Sequence, residues 1–273
     1  MDPDQHRAEA RERWEAAAAG WEIADAFGRA TQPVSEAMVA ALDPQEGQTV
    51  LELAAGRGDT GLLAAPAVGD SGTLIITDGA EAMVQGAERH YRARGVENAE
   101  FRPMELEWVD RKTASVDGIL CRFGYMHAVD PEAALREARR VLRPGGRIAL
   151  AVWDLPERNP WLNAPREALN SIDDGPGAFA LAKDGQIAEL LAVAGFEDRS
   201  VAPVDITFEC ESLDAMWDLV MGISSTMAPA VKALTPAEHV ALRDAVDAVW
   251  SAYQRPGGRV AVPGRALVAS ASA

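Results

Sequence analysis

Apolar positions first recur at helical spacing and then collapse into short continuous runs. Residues 1–30 read as one helix, with Trp14, Ala17, Ala18, Trp21 and Ala24 near one face. Residues 33–42 continue as a helix carrying Val34, Met38, Val39 and Leu42. The period then changes. Thr49-Val50-Leu51-Glu52-Leu53 is an apolar run closed by Gly56 and Gly58, the pattern of a buried strand entering a tight loop. Gly72 to Asp78 predicts a second strand, a helix runs from about Ala80 to Arg94, and a third strand lies near Ala99–Arg102. Val116 to Cys121 is a fourth. Asp130-Pro131-Glu132 opens a helix with Asp as cap and Pro in the first turn, and its inner stripe is Leu135, Ala138, Val141 and Leu142. Pro144-Gly145-Gly146 ends that helix ahead of a fifth strand, Arg147 to Trp153. Strands alternating with helices over 49–153 predict a mainly parallel sheet covered on both faces.

Beyond residue 154 the pattern loosens. Pro156, Pro160, Pro165 and Pro176 mark a loop-rich stretch, Ile187–Ala194 a helix, and Arg199–Phe208 a strand. Thr235-Pro236-Ala237-Glu238 is a capping box opening a helix to about Tyr253. The segments 259–262 and 266–269 can form a last strand. Helices inserted between the late strands would build a substrate lid. The organisation expected is a helical lid over 1–44, a core over 45–155, and completion of the sheet with inserted substrate-binding helices over 156–273, all in one compact domain.

Composition narrows the partners. The 273 residues carry a formal net charge of −16, which disfavours nucleic acid and anionic membrane faces. A small-molecule partner fits better. Cys121 and Cys210 match neither a disulfide framework nor a metal spacing, so no metal is expected. The N-terminus lacks the apolar core of a secretory signal, and no run approaches the roughly 18 apolar residues of a membrane span. A cytoplasmic protein is expected, and a homodimer is compatible.

Gly56-Arg57-Gly58-Asp59-Thr60-Gly61 matches G-x-G-x-x-G. One reading is an NAD(P)-dependent oxidoreductase, with Gly56, Gly58 and Gly61 approaching a pyrophosphate and Asp78 on a ribose hydroxyl. Against it, Glu52 and Asp59 would face a dianion with Arg57 the one nearby cation. A cationic ligand reverses the sign, because Glu52 then attracts and Asp78 accepts from both ribose hydroxyls.

Val50-Leu51-Glu52-Leu53-Ala54-Ala55-Gly56-Arg57-Gly58 resembles motif I of class I methyltransferases that use S-adenosylmethionine. Thr77-Asp78 resembles the family's second-strand acid, and Arg140-Val141-Leu142-Arg143-Pro144-Gly145-Gly146 its R-x-L-(K/R)-P-G-G turn. Met104-Glu105-Leu106-Glu107 looks like its adenine loop. The flavour is that of the ubiquinone/menaquinone-biosynthesis methyltransferases and their small-molecule relatives, over roughly 45–155. The resemblance implies a Rossmann-like seven-stranded sheet with one antiparallel strand. It also implies S-adenosylmethionine held by Glu52, Ala54, Gly56, Gly58, Asp78, Gly79, Met83, Glu105, Leu106, Arg122 and Trp21. Two positions depart from the pattern. Ala54 replaces the first motif glycine, and keeps the bend if its φ stays negative; Glu105 replaces an Asp. A non-catalytic methyltransferase-like subunit is the rival from another class.

Methyl transfer needs alignment more than a catalytic group, and a general base only where the acceptor loses a proton. His127 and Tyr125, after the fourth strand, are the candidates. His6 falls in the terminal segment and His90 on an exposed helix. Arg122 is expected to pair with a nearby acid. Trp14 and Trp21 either pack in the core or form a lid with an indole near the sulfonium. Trp153, Asp154, Asn159 and Trp161 should border a small, apolar or aromatic acceptor, with Met216, Trp217, Met221 and Met227 as an apolar set.

Overall fold

A computed structural model describes residues 3–22, 24–170 and 176–273. Helices α1 (Pro3–Glu22) and α2 (Asp25–Leu42) precede β1 (Thr49–Glu52), α3 (Asp59–Val68), β2 (Thr73–Asp78), α4 (Glu81–Arg92), β3 (Ala99–Pro103) and β4 (Val116–Arg122). Then come α5 (Pro131–Val141), β5 (Leu142–Trp153), α6 (Pro160–Ala168), α7 (Gln186–Val193) and β6 (Glu197–Cys210). The chain closes with α8 (Leu213–Ile223), α9 (Met227–Lys232), α10 (Pro236–Trp250) and β7 (Val260–Ser272).

The seven strands lie in the order β3-β2-β1-β4-β5-β7-β6. β7 runs antiparallel to both its neighbours, and the remaining pairs are parallel. This is the Rossmann-like sheet with one reversed strand that the sequence predicts, and the last apolar segments supply that strand. β1 and β2 are buried along nearly their whole length because helices cover both faces. The two capping predictions also hold: Asp130 accepts from the Ala133 amide, and Thr235 and Glu238 form a reciprocal box.

Two predicted features are corrected. The helix over 1–30 is broken: α1 ends at Glu22 and α2 starts at Asp25, running through Pro33. The reason lies far along the chain. Gly20 touches α8 so closely that a Cβ would stand 1.9 Å from the Gly222 carbonyl oxygen, fixing where α1 ends while α2 turns away to pack across the sheet. The loop-rich stretch contains a helix, α6, because Pro160 occupies its first turn, where no N–H is needed. Residues 171–175 of that stretch lie outside the described residues.

Candidate functional site

A cavity of about 440 Å³ opens beyond the carboxyl ends of β1, β2, β4 and β5, around the place where strand order reverses between β1 and β4. Asp78 ends β2 with Gly79 after it, Met104 to Glu107 follow β3, Arg122 ends β4 with Phe123 and Gly124 after it, and Trp153 ends β5. α1 covers one end with Trp14 and Trp21. The other end is closed by α6 and the α8–α9 connection through Trp161, Leu162, Val220 and Met227.

The loop after β1 turns through three left-handed residues, Ala54 (φ 49°), Gly56 (φ 53°) and Gly58 (φ 74°). The condition of a negative φ at Ala54 is therefore not met. The turn needs the left-handed conformation there, and Ala54 adopts it despite its Cβ. Asp78 anchors the turn from the next strand. Its Oδ2 accepts from the Gly56 amide at 2.9 Å and its Oδ1 from the Ala80 amide at 3.0 Å, leaving one lone pair on each oxygen for a ligand. Burial pushes its pKa up to about 6.

Of the predicted cofactor residues, Ala54, Gly56, Asp78, Gly79, Met83, Glu105, Leu106, Arg122 and Trp21 line the cavity. Glu52 and Gly58 do not. Glu52 is 2% exposed and sits behind the loop, where it accepts from the Gly61 amide at 3.0 Å, and burial raises its pKa to about 8. A carboxyl buried at a strand end is drawn to the first turn of the following helix, so Glu52 supports the loop and offers little negative charge to a ligand. Gly58 packs under Tyr91, whose hydroxyl donates to its carbonyl at 3.0 Å.

Arg122 behaves as expected. It is held by Asp59 (3.3 Å) and donates to Thr31 (2.7 Å). His127 lines the cavity, its ring edge-on to Trp14 with centroids 5.2 Å apart. Tyr125 is removed from the catalytic candidates: it is 1% exposed, lies outside the cavity wall, and burial holds its hydroxyl well above the usual phenol range. His90 is not on a free face. Its Nδ1 lies 2.9 Å from the Arg57 carbonyl, under the motif loop. His6 belongs to α1 and lines the cavity.

Some of the residues expected to border an acceptor line the far end of the cavity. Trp153 and Trp161 line it, with centroids 5.1 Å apart, and Phe123 stacks on Trp153 at 3.8 Å. Asn159 is buried for a structural reason: its amide donates to the Asp154 and Arg265 carbonyls and its oxygen accepts from the Arg265 amide. Met227 reaches the wall. Met216, Trp217 and Met221 do not; Trp217 instead lies under the Arg243 guanidinium at 4.8 Å. Phe27, Phe123, Arg166, Val220 and Ile223 are wall residues that the sequence reading misses. No local motif marks them. Ring type alone could have drawn attention to Phe27, whose centroid is 5.0 Å from that of Trp21 and 6.2 Å from that of Trp161.

α1 has no buried residue and is held by polar ties. Arg7 pairs with Glu107, Arg11 with Glu105 at 3.2 Å, and Glu22 with Arg89 at 2.8 Å. The Glu15 carboxylate accepts the Glu81 and Ala82 amides at the start of α4, and the Trp21 indole donates to the Ile223 carbonyl at 2.9 Å. Both cysteines are free and buried. Among the described residues no cluster suits a metal ion, and no helix is long and apolar enough to cross a membrane.

Residues 50–146 match the family described as a methyltransferase domain. The chain is 34% identical over 215 residues to an uncharacterised 37.1 kDa protein in a transposon of Streptomyces fradiae, covering 75% of this chain and 58% of that protein. It is 32% identical over 111 residues to a ubiquinone/menaquinone biosynthesis C-methyltransferase of Acidiphilium cryptum, covering 40% and 44%. The chain thus spans about half the length of these curated relatives. A putative methyltransferase from Bacillus halodurans has a similar fold, with TM-score 0.61 and 18% identity over 87% of this chain and 97% of that one.

Proposed function

We propose that this chain, which carries a class I S-adenosylmethionine-dependent methyltransferase domain, transfers a methyl group to a small, apolar or aromatic acceptor. Its cofactor is S-adenosylmethionine. The observation that carries the reading is the continuity of one cavity from an acid-lined end at Asp78 and Glu105 to a ring-lined end at Phe123, Trp153 and Trp161. The residues present fit the cofactor. Asp78 keeps a free lone pair on each oxygen for ribose hydroxyls, Glu105 and the Leu106 backbone would meet the adenine edge, and Met83 would flank it. The left-handed turn at Gly56 leaves room beneath Trp21, where a Cβ would lie 3.8 Å from the indole.

When bound, S-adenosylmethionine supplies a methyl carbon already activated by its sulfonium. The chain's own part is alignment and exclusion of water. The stacked Phe123–Trp153 pair and Trp161 offer flat faces to a planar acceptor. α1 acts as a lid over the donor end, and the α8–α9 connection as a lid over the acceptor end. His127, on the wall between them, takes the proton where the acceptor is a phenol or a carbon acid. A dinucleotide-dependent oxidoreductase is the rival. Calorimetric titration with S-adenosylhomocysteine, NAD and NADP is expected to give heat with the first alone; binding of NAD or NADP instead would overturn the proposal. A radiolabelled methyl-transfer assay across an acceptor panel separates an enzyme from a non-catalytic subunit.

A further inference from the structure

An indole N–H can only donate, so a buried one needs a group that accepts from it. Four indoles line the cavity: Trp14, Trp21, Trp153 and Trp161. Trp21 donates to the Ile223 carbonyl and Trp161 to the Asn159 side-chain oxygen at 3.3 Å, while Trp14 is only half-buried. Trp153 is different. It is 3% exposed, and its N–H has no hydrogen-bond partner among the described residues. Nor is that N–H sealed. The fully closed-off side-chain atoms without a partner among the described residues belong to Arg57, Tyr125, Arg147 and Arg243. The little surface that the Trp153 N–H keeps therefore opens on the cavity the residue lines. Its direction is fixed, because Phe123 stacks on the indole at 3.8 Å and Trp161 meets it edge-on at 5.1 Å.

The α8–α9 connection repeats the pattern. Ser224 is used by the fold, its Oγ accepting from the Met227 amide at 2.8 Å at the start of α9. Ser225 is 9% exposed on the cavity wall, and its hydroxyl is neither bonded nor sealed among the described residues. Around these two groups stand Phe27, Leu162, Val220 and Ile223, and the acids of the described wall, Asp78, Glu105 and Glu107, are all at the donor end. An apolar ligand here would strand two buried donors. A carboxylate would lose more hydration than two neutral donors return. A carbonyl oxygen has two lone pairs and no charge to desolvate.

We infer that the methyl acceptor carries an uncharged carbonyl oxygen on a flat frame, and that the Trp153 N–H and the Ser225 hydroxyl donate to it. The inference rests on the methyl-transfer reading for what happens to the ligand, but its binding chemistry is independent of that reading.

The test uses the full chain and three matched probes: acetophenone, ethylbenzene, which lacks the oxygen, and benzoate, which adds a charge. Each is titrated by NMR with and without S-adenosylhomocysteine, against the wild type, Trp153→Phe, Ser225→Ala and the double variant. Acetophenone is expected to bind the wild type about ten-fold more tightly than ethylbenzene, and more tightly than benzoate. Trp153→Phe keeps a ring in the stack and removes the N–H. It and Ser225→Ala are each expected to cut the ratio about three-fold, and the double variant to bring acetophenone and ethylbenzene within about two-fold. Unchanged affinity for S-adenosylhomocysteine certifies the fold of each variant. Equal binding of acetophenone and ethylbenzene by the wild type, tighter binding of benzoate, no binding of any probe, or a ratio that survives in the double variant overturns the inference. Should Trp153→Phe fail to fold, an unchanged ratio in Ser225→Ala overturns it equally. A wild type that ignores S-adenosylhomocysteine yet keeps the acetophenone preference would strike the methyl-transfer reading alone.

Discussion

Ala54 holds φ 49° in a region where an L-residue costs roughly 1–2 kcal/mol. Its methyl explains why residue 124 has none: a Cβ on Gly124 would stand 2.6 Å from that of Ala54 and 2.6 Å from the Cys121 sulfur. Gly124→Ala is therefore expected to cost about 1–3 kcal/mol in denaturant unfolding, the range of an overpacked core. Adding Ala54→Gly should recover part of the loss, and strict additivity of the two changes would show that the methyls do not compete. The two raised carboxyls have separate pH signatures. Protonation takes up one of the acceptor positions that Asp78 needs for two amides and two ribose hydroxyls together, so affinity for S-adenosylhomocysteine should be level above about pH 6 and fall as pH drops through it. A flat profile from pH 5 to pH 7.5 would remove Asp78 from the site. Glu52 has a folded pKa near 8, above its ordinary 4.5, so the stability it contributes is complete below pH 4.5 and is lost as pH rises toward 8. Unfolding free energy should decline across that window by at most about 1.4 kcal/mol per pH unit, and Glu52→Gln should flatten the decline.

Among the elements, α1 and α2 contrast most. α2 buries Phe27, Val34, Met38 and Leu42 against the sheet, whereas α1 buries nothing and depends on ion pairs and capping. Exposed pairs contribute little in water and less in salt. Hydrogen exchange should therefore find α1 opening much faster than α2, more so at high salt, and slowing when S-adenosylhomocysteine is added. Trp21→Phe keeps the ring but removes the donor to the Ile223 carbonyl, so it should speed exchange at the end of α8. Equal protection of α1 and α2 without ligand would contradict this account of the lid.

For the molecule as a whole, a ligand that binds only the folded chain stabilises it by mass action. S-adenosylhomocysteine at 100 times its Kd adds about 2.7 kcal/mol, a rise in Tm on the order of 5–10 °C for a chain of this size. NAD at the same concentration should leave the Tm where it was. A scan that moves with NAD and not with S-adenosylhomocysteine would be decisive against the donor site. The formal charge of −16 makes a second expectation, that anionic vesicles do not retain the protein at 0.15 M salt.

What the sequence by itself determined is what neighbours along the chain decide. The buried runs of β1, β2, β4 and β5, the capped starts of α5 and α10, the glycine turn, and Asp78 and Glu105 at strand ends all follow from periodicity and turn chemistry within a few residues. What only the tertiary structure decided is which side of a wall a residue stands on. Glu52 and Asp78 both close apolar strands, yet one is walled in behind Gly61 while the other lines the cavity. Tyr125 and His127 are two apart, but one is core and the other is wall. The roof is built by contacts about a hundred or more residues apart, Arg7 to Glu107 and Trp21 to Ile223, and Arg166 reaches the acceptor end because α6 packs between β7 and α10. A hydrophobic pattern records how much of a residue must be buried; only chain closure selects the partner that buries it.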